Sequence, residues 1–91
     1  MEFLQINLNH CKAAHDLLEA TIRQRNVDII ILSEANKNRI KPTWYTDRQE
    51  ETVIGILNNT IVPVENGNGQ GFVWIALPEV TLYSCYIYRQ M

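Results

Sequence analysis

Asn7, Asn9 and Glu34 are the side chains on which chemistry in this sequence would turn. A carboxylate with amide oxygens close by offers oxygen donors, which a hard cation such as magnesium prefers. The three must first be brought together. In open sheets with crossover helices, ligands gather beyond the carboxyl ends of the strands. Asn7 and Asn9 close one apolar stretch, and Glu34 follows another. If the two stretches are parallel neighbours, these groups leave the sheet on one edge. Plainer readings stand beside this one: Glu34 as an exposed loop residue, and Asn9 as a helix N-cap.

The elements that would position them are readable. Residues 3–8 are short, apolar and bounded by polar residues, which predicts a strand. Cys11, Ala14, Leu17, Leu18, Thr21, Ile22 and Arg25 recur at steps of three and four, the apolar stripe of a helix of about four turns. Lys12, Asp16, Glu19 and Arg23 take the other face, and Glu19 to Arg23 is a favourable pair one turn apart. Asn26 ends the helix. Residues 27–32 are β-branched and almost continuously apolar, as in a strand covered on both faces. Strand, helix, strand predicts a crossover joining two parallel strands.

The second half reads as antiparallel. Residues 34–52 are polar and irregular and predict a loop carrying Lys37, Arg39 and Lys41. A short strand follows at 53–57, then a tight turn at Asn58 and Asn59. Ile61 and Val62 could begin a partner strand that Pro63 limits. Residues 65–71, rich in glycine and asparagine, predict a flexible turn or loop. Strands are expected at 72–77 and 80–87, joined through Pro78 and Glu79. The fold class is α/β: a strand-helix-strand start followed by antiparallel strands, in one domain without internal repeats.

Composition limits the function classes. The 91 residues suffice for one small domain, and 46% apolar with 20% charged residues argues against wholesale disorder. A net charge of -2 lacks the basic excess of a self-contained nucleic-acid binder. A nuclease tolerates that balance when metal ions offset the phosphates. Cys11 and Cys85 form neither a disulfide framework nor a zinc pattern, and read as reduced thiols. No stretch approaches the roughly 18 apolar residues of a membrane span, and no signal peptide is evident at the start. An intracellular protein without a membrane role is expected.

The run Leu4-Gln5-Ile6-Asn7-Leu8-Asn9, then a helix, then Ile29-Ile30-Ile31-Leu32-Ser33-Glu34, resembles the opening of the endonuclease/exonuclease/phosphatase (DNase-I-like) superfamily. It looks most like the endonuclease domains of arthropod non-LTR retrotransposon polyproteins. Trp44-Tyr45-Thr46-Asp47, Gly71-Phe72-Val73-Trp74 and Tyr83-Ser84-Cys85-Tyr86-Ile87 add to the likeness. The resemblance implies a four-layer α/β-sandwich, of which residues 1–91 would be the N-terminal fragment. It implies that Glu34 binds Mg2+ or Mn2+, with Asn9 near the metal. It implies that Asn7 orients the scissile phosphate and that the Tyr86 hydroxyl reaches toward it. The reaction would be metal-assisted hydrolysis of DNA phosphodiesters, the target-site nicking that precedes reverse transcription, with the nucleus as one destination. Lys37, Arg39 and Lys41 would touch DNA or form a solvated loop. Tyr86 could instead pack within the sheet, and Trp44 and Trp74 read as core or loop aromatics.

The sequence departs from that family after Tyr86 and Ile87. The family's Asp-x-Asn motif and its late Asp and His have no counterpart here. His10 and His15 are five apart, a poor spacing for one helical face, and both read as surface residues, so no base is evident. About one of the two packed sheets is expected to be missing, leaving an apolar sheet face for the C-terminal half of the domain or a partner protein to cover. Inactivity alone is expected. The competing expectations are a non-catalytic interaction half-domain of the same fold and an unrelated small α/β domain.

Overall fold

Strand β1 (Phe3–Asn7), helix α1 (Lys12–Arg25) and strand β2 (Ile29–Ser33) open the chain in the computed structural model, which describes residues 1–85. β1 and β2 pair in parallel from Phe3 opposite Ile29 to Asn7 opposite Ser33. This is the crossover the sequence predicts. Val27, Ile29, Ile30 and Leu32 are buried, so β2 is covered on both faces.

Strands β3 (Tyr45–Thr46) and β4 (Thr52–Ile56) complete a four-stranded sheet in the order β1-β2-β4-β3. β4 runs antiparallel to β2, with Thr52 opposite Ser33 and Ile56 opposite Ile29. Gly55 lies opposite Ile30. A Cβ there would fall 2.8 Å from Ile30 Cγ1 and 3.0 Å from the indole nitrogen of Trp44, so a glycine lets both side chains close over the strand.

Strands β5 (Glu65–Gly69), β6 (Phe72–Ala76) and β7 (Thr81–Cys85) form a separate antiparallel meander. Gly71, with φ of 80°, makes the turn between β5 and β6. Leu77 N–H donates to the Val80 carbonyl at 2.8 Å and closes the next hairpin around Pro78 and Glu79.

The layers follow from side-chain alternation. Leu18, Ala14 and Ile22 of α1 pack on Leu4, Ile6, Ile30, Leu32 and Val53, on the outer face of the four-stranded sheet. Its inner face presents Ile29, Ile31, Ile54 and Ile56 to Val73, Ile75, Leu77 and Leu82. The result is a helix-sheet-sheet sandwich of mixed α/β class with two apolar cores.

Four expectations need correction. Residues 65–69 form an edge strand rather than a loop, because the rings of Trp74 and Phe72 lie over Gly67 and Gly69 and supply the packing that the β5 side chains lack. Residues 45–46, expected in a loop, pair with β4, whereas Ile61 and Val62 pair with no strand among the described residues. Two sheets form within the described chain, so the expectation that about one sheet is missing does not hold. The sheet face left open is the outer face of the meander, where Phe72 and Tyr83 are exposed and Trp74 and Tyr83 rings lie 6.4 Å apart. Lastly, Asn9 is not the cap of α1. The helix starts at Lys12 behind Cys11, without a side-chain cap, while Asn9 has a left-handed φ of 50°.

Candidate functional site

Asn7 is the last residue of β1, and Glu34 directly follows Ser33, the residue opposite Asn7 on β2. The parallel pairing therefore delivers both to the carboxyl edge of the sheet. Antiparallel β4 begins at that same edge, because Thr52 lies opposite Ser33. Glu51, just before it, joins the group.

The loop from β1 to α1 is folded over this edge by short bonds. Leu8 N–H donates to the Ser33 carbonyl at 2.9 Å, and His10 N–H to the Glu34 carbonyl at 2.7 Å. The Asn9 N–H donates to Asn7 Oδ1 at 3.0 Å. The Asn36 amide nitrogen donates to the His10 carbonyl at 3.1 Å. Asn9, His10 and Glu34 all have left-handed φ, at 50°, 57° and 51°. Asparagine tolerates that region, but histidine and glutamate visit it rarely, so the surrounding bonds must hold them there.

The bond from Asn9 fixes the Asn7 side chain. It takes one of the two lone pairs of the amide oxygen, so Asn7 can still offer an acceptor to a cation and, through its amide nitrogen, a donor to a phosphate oxygen. Asn7 is exposed, Asn9 is exposed, and Glu34 is half-buried. Among the described residues no three His, Cys, Asp or Glu side chains come together as a metal-binding group. A single carboxylate with neighbouring amides fits an ion that keeps most of its water shell, which is how magnesium is commonly held.

Two further features of this edge were not expected from the sequence. His10 Nε2 and Glu51 Oε2 lie 2.7 Å apart, with His10 half exposed and Glu51 mostly covered. Forty-one positions separate them, so no local signal announces the pair. The second is Thr52. Asn7, Ser33 and Thr52 share one rung across β1, β2 and β4. They alternate with the residues that face α1 and so point toward the meander. Thr52 is fully buried, and its hydroxyl has no partner among the described residues.

His15 is buried, not a surface residue. Its Nε2 accepts the Asn36 N–H at 2.9 Å, tying α1 to the segment after β2. Burial holds its pKa below the usual histidine value, and the nearby Arg39 charge adds to that, against Glu19 and Asp16. Of the three basic loop residues, Arg39 is occupied: it meets Asp16 at 2.6 Å and Glu19 at 3.6 Å. Lys37 and Lys41 remain exposed. Tyr86 lies outside the described residues. An apolar groove of about 640 Å³, lined by Met1, Phe3, Val62, Leu77 and Val80, includes the start of β1, at the opposite end from the edge.

In comparisons with known proteins the chain matches no family model, and neither a curated protein nor a solved structure similar to it is found.

Proposed function

We propose that this chain is the N-terminal part of a metal-dependent endonuclease domain of the endonuclease/exonuclease/phosphatase type, acting on DNA phosphodiesters and inactive by itself. The observation that carries the reading is the parallel pairing that sets Asn7 and Glu34 on one edge of the sheet. That is the arrangement the resemblance requires, and a fold separating them would have removed it.

Each side chain has a task in this reading. Glu34 would hold Mg2+ or Mn2+ in a water-rich site, with the exposed Asn9 beside it. The bound ion would offset charge on the phosphate oxygens and leaving group. Asn7, its oxygen tied to the backbone, directs its amide nitrogen at a phosphate oxygen and so orients the diester. Lys37 and Lys41 are free to follow the DNA backbone. The Asp-x-Asn motif that would position the leaving-group side, and the late Asp and His that would activate water, have no counterpart in this sequence. Nicking by these residues alone is therefore not expected.

Manganese serves as the probe. Its paramagnetism should broaden the amide signals of Asn9, His10 and Glu34 before any others, and Glu34→Gln should abolish the selectivity. Uniform broadening, or broadening centred elsewhere, would overturn the reading.

A second reading is a non-catalytic interaction half-domain of the same fold. The exposed Phe72 and Tyr83 beside Trp74 on the outer face of the meander favour it. It requires no cation at the edge, so the manganese experiment separates the two.

A further inference from the structure

The meander does not cover the whole of the sheet beneath it. At one side the Asn68 amide of β5 donates to the Thr46 carbonyl of β3 at 2.8 Å, and at the other the Ser84 hydroxyl of β7 donates to the Leu32 carbonyl of β2 at 3.3 Å. With the order β1-β2-β4-β3, β1 lies beyond the meander. Leu4 and Ile6 of β1 turn to α1, so Phe3, Gln5 and Asn7 share the other face, and all three are exposed. We propose that a strand of a partner polypeptide docks along the free edge of β7 and over this face of β1, extending the meander to four strands. Such docking requires neither the cation nor the hydrolysis proposed above.

The backbone defines the chemistry of the occupant. β7 is the last strand of its sheet, and among the described residues none pairs with its far side. A strand edge presents N–H and carbonyl groups at a fixed repeat, which only another extended backbone matches in full. A small apolar molecule would fill the groove at the Phe3 end and leave the edge to water. Sheets commonly guard such edges with lysine, proline or an inward charge, and Thr81–Cys85 contains none of these.

The side chains narrow it further. Val80, just before β7, lines the groove together with Phe3 at the start of β1, so the two strands begin at the same end. An antiparallel partner, the pairing used twice within the meander, starts at the Asn7 end and finishes at the groove. Its inward side chains pass Asn7 and Gln5, which suit polar residues. They then reach Phe3, Leu77 and Val80, which suit a branched apolar one. Glu79 is the charged residue of the groove lining, so a lysine suits the last position.

A second copy is a poor occupant. Each β7 lies over its own β2. Two copies joined β7 to β7 about a two-fold axis would drive the β1 and β2 of one into the β2 and β1 of the other. Joining through β5, which lies over its own β3, drives that β3 into β1.

The probe is the labelled peptide Thr-Ser-Tyr-Gln-Val-Ile-Thr-Lys, titrated against the full chain. Saturable binding should protect alternate β7 amides from hydrogen exchange and leave those of β5 unchanged. Methylating every second peptide nitrogen, in both phases, separates strand pairing from adhesion. The phase that blocks the amides facing β7 should weaken binding about tenfold or more, and the other less than about twofold. Phe3→Ser, at an exposed position, should weaken it about tenfold. No binding at any soluble peptide concentration, equal weakening by both phases, or protection confined to β5 overturns the docking. A chain that is dimeric before peptide is added, with its β7 amides already protected, assigns the edge to a second copy and overturns it as well.

Discussion

Asp47 and Gly71, twenty-four positions apart, are joined by a bond from the Gly71 N–H to Asp47 Oδ2 at 3.2 Å. Asp47 is buried, and the same carboxylate accepts the N–H groups of Gln49, Glu51 and Thr52. One side chain thus ties the β3–β4 turn to the β5–β6 hairpin and sets the backbone that carries Glu51. Asp47→Ala would remove the partner of the Gln49, Glu51 and Thr52 N–H groups, while the Gly71 N–H keeps Gln49 Oε1 at 3.2 Å, and each buried donor left unpaired costs about 1–3 kcal/mol. A loss of about 3 kcal/mol in urea unfolding is expected, with an unchanged denaturant slope. A loss below about 0.5 kcal/mol, the scale of an ordinary surface change, would show that the carboxylate is not the tie.

His15 gives the stability a defined pH dependence. Its folded pKa is lowered, by burial first and then by Arg39. Protonation at Nε2 would also break the bond from the Asn36 N–H. The unfolded chain titrates near the ordinary value of about 6.5. Above that value both states are neutral and the contribution of His15 is fully present. As the pH falls below it, the unfolded state gains a proton that the folded state resists, and stability declines toward the lowered folded pKa. His15→Gln should flatten the unfolding midpoint over this window. An undiminished slope in that variant would assign the effect to another group.

Gly55 tests the packing over β4. A Cβ there meets Ile30 Cγ1 at 2.8 Å, within the strand and with little room to give. Gly55→Ala should cost about 1–3 kcal/mol by overpacking. A neutral or stabilising result, read from the thermal midpoint, would mean that Ile30 or Trp44 moves aside freely.

The elements most legible in the sequence were those with local signals. The apolar run of β2, the stripe of α1 and the strand-helix-strand order predicted the parallel pairing, and with it the placement of Asn7 and Glu34. The residue type of Asn9 suits a cap, yet the left-handed pair Asn9 and His10 delays the helix to Lys12. β5 was hidden because its packing is supplied by rings of the neighbouring strand, not by its own side chains. The spacing of His10 and His15 carries no information about burial, because His10 precedes α1 and only His15 lies on the helix, where it faces the core. The His10–Glu51 contact arises from tertiary structure alone, so no periodicity could show it.

Nicking activity separates a complete site from a partial one. On the proposed endonuclease reading, supercoiled plasmid incubated with the 91-residue chain and Mg2+ should remain supercoiled, since the Asp-x-Asn motif and the late Asp and His have no counterpart in the sequence. Metal-dependent nicking that disappears in Glu34→Ala would show that these residues suffice.

Thr52 allows the buried rung to be questioned directly. Its hydroxyl is fully buried without a partner among the described residues, while its neighbours Ser33 and Asn7 lie on the same rung toward the open edge. A buried hydroxyl without a bond is a net cost, and valine has nearly the same shape. If the hydroxyl serves nothing, Thr52→Val should stabilise the fold by about 1 kcal/mol. If instead it anchors a water bound between the sheets, the substitution removes one of that water's few partners and the thermal midpoint falls. The sign of the change, rather than its size, decides whether the polar rung continues inward from the edge or ends at Asn7.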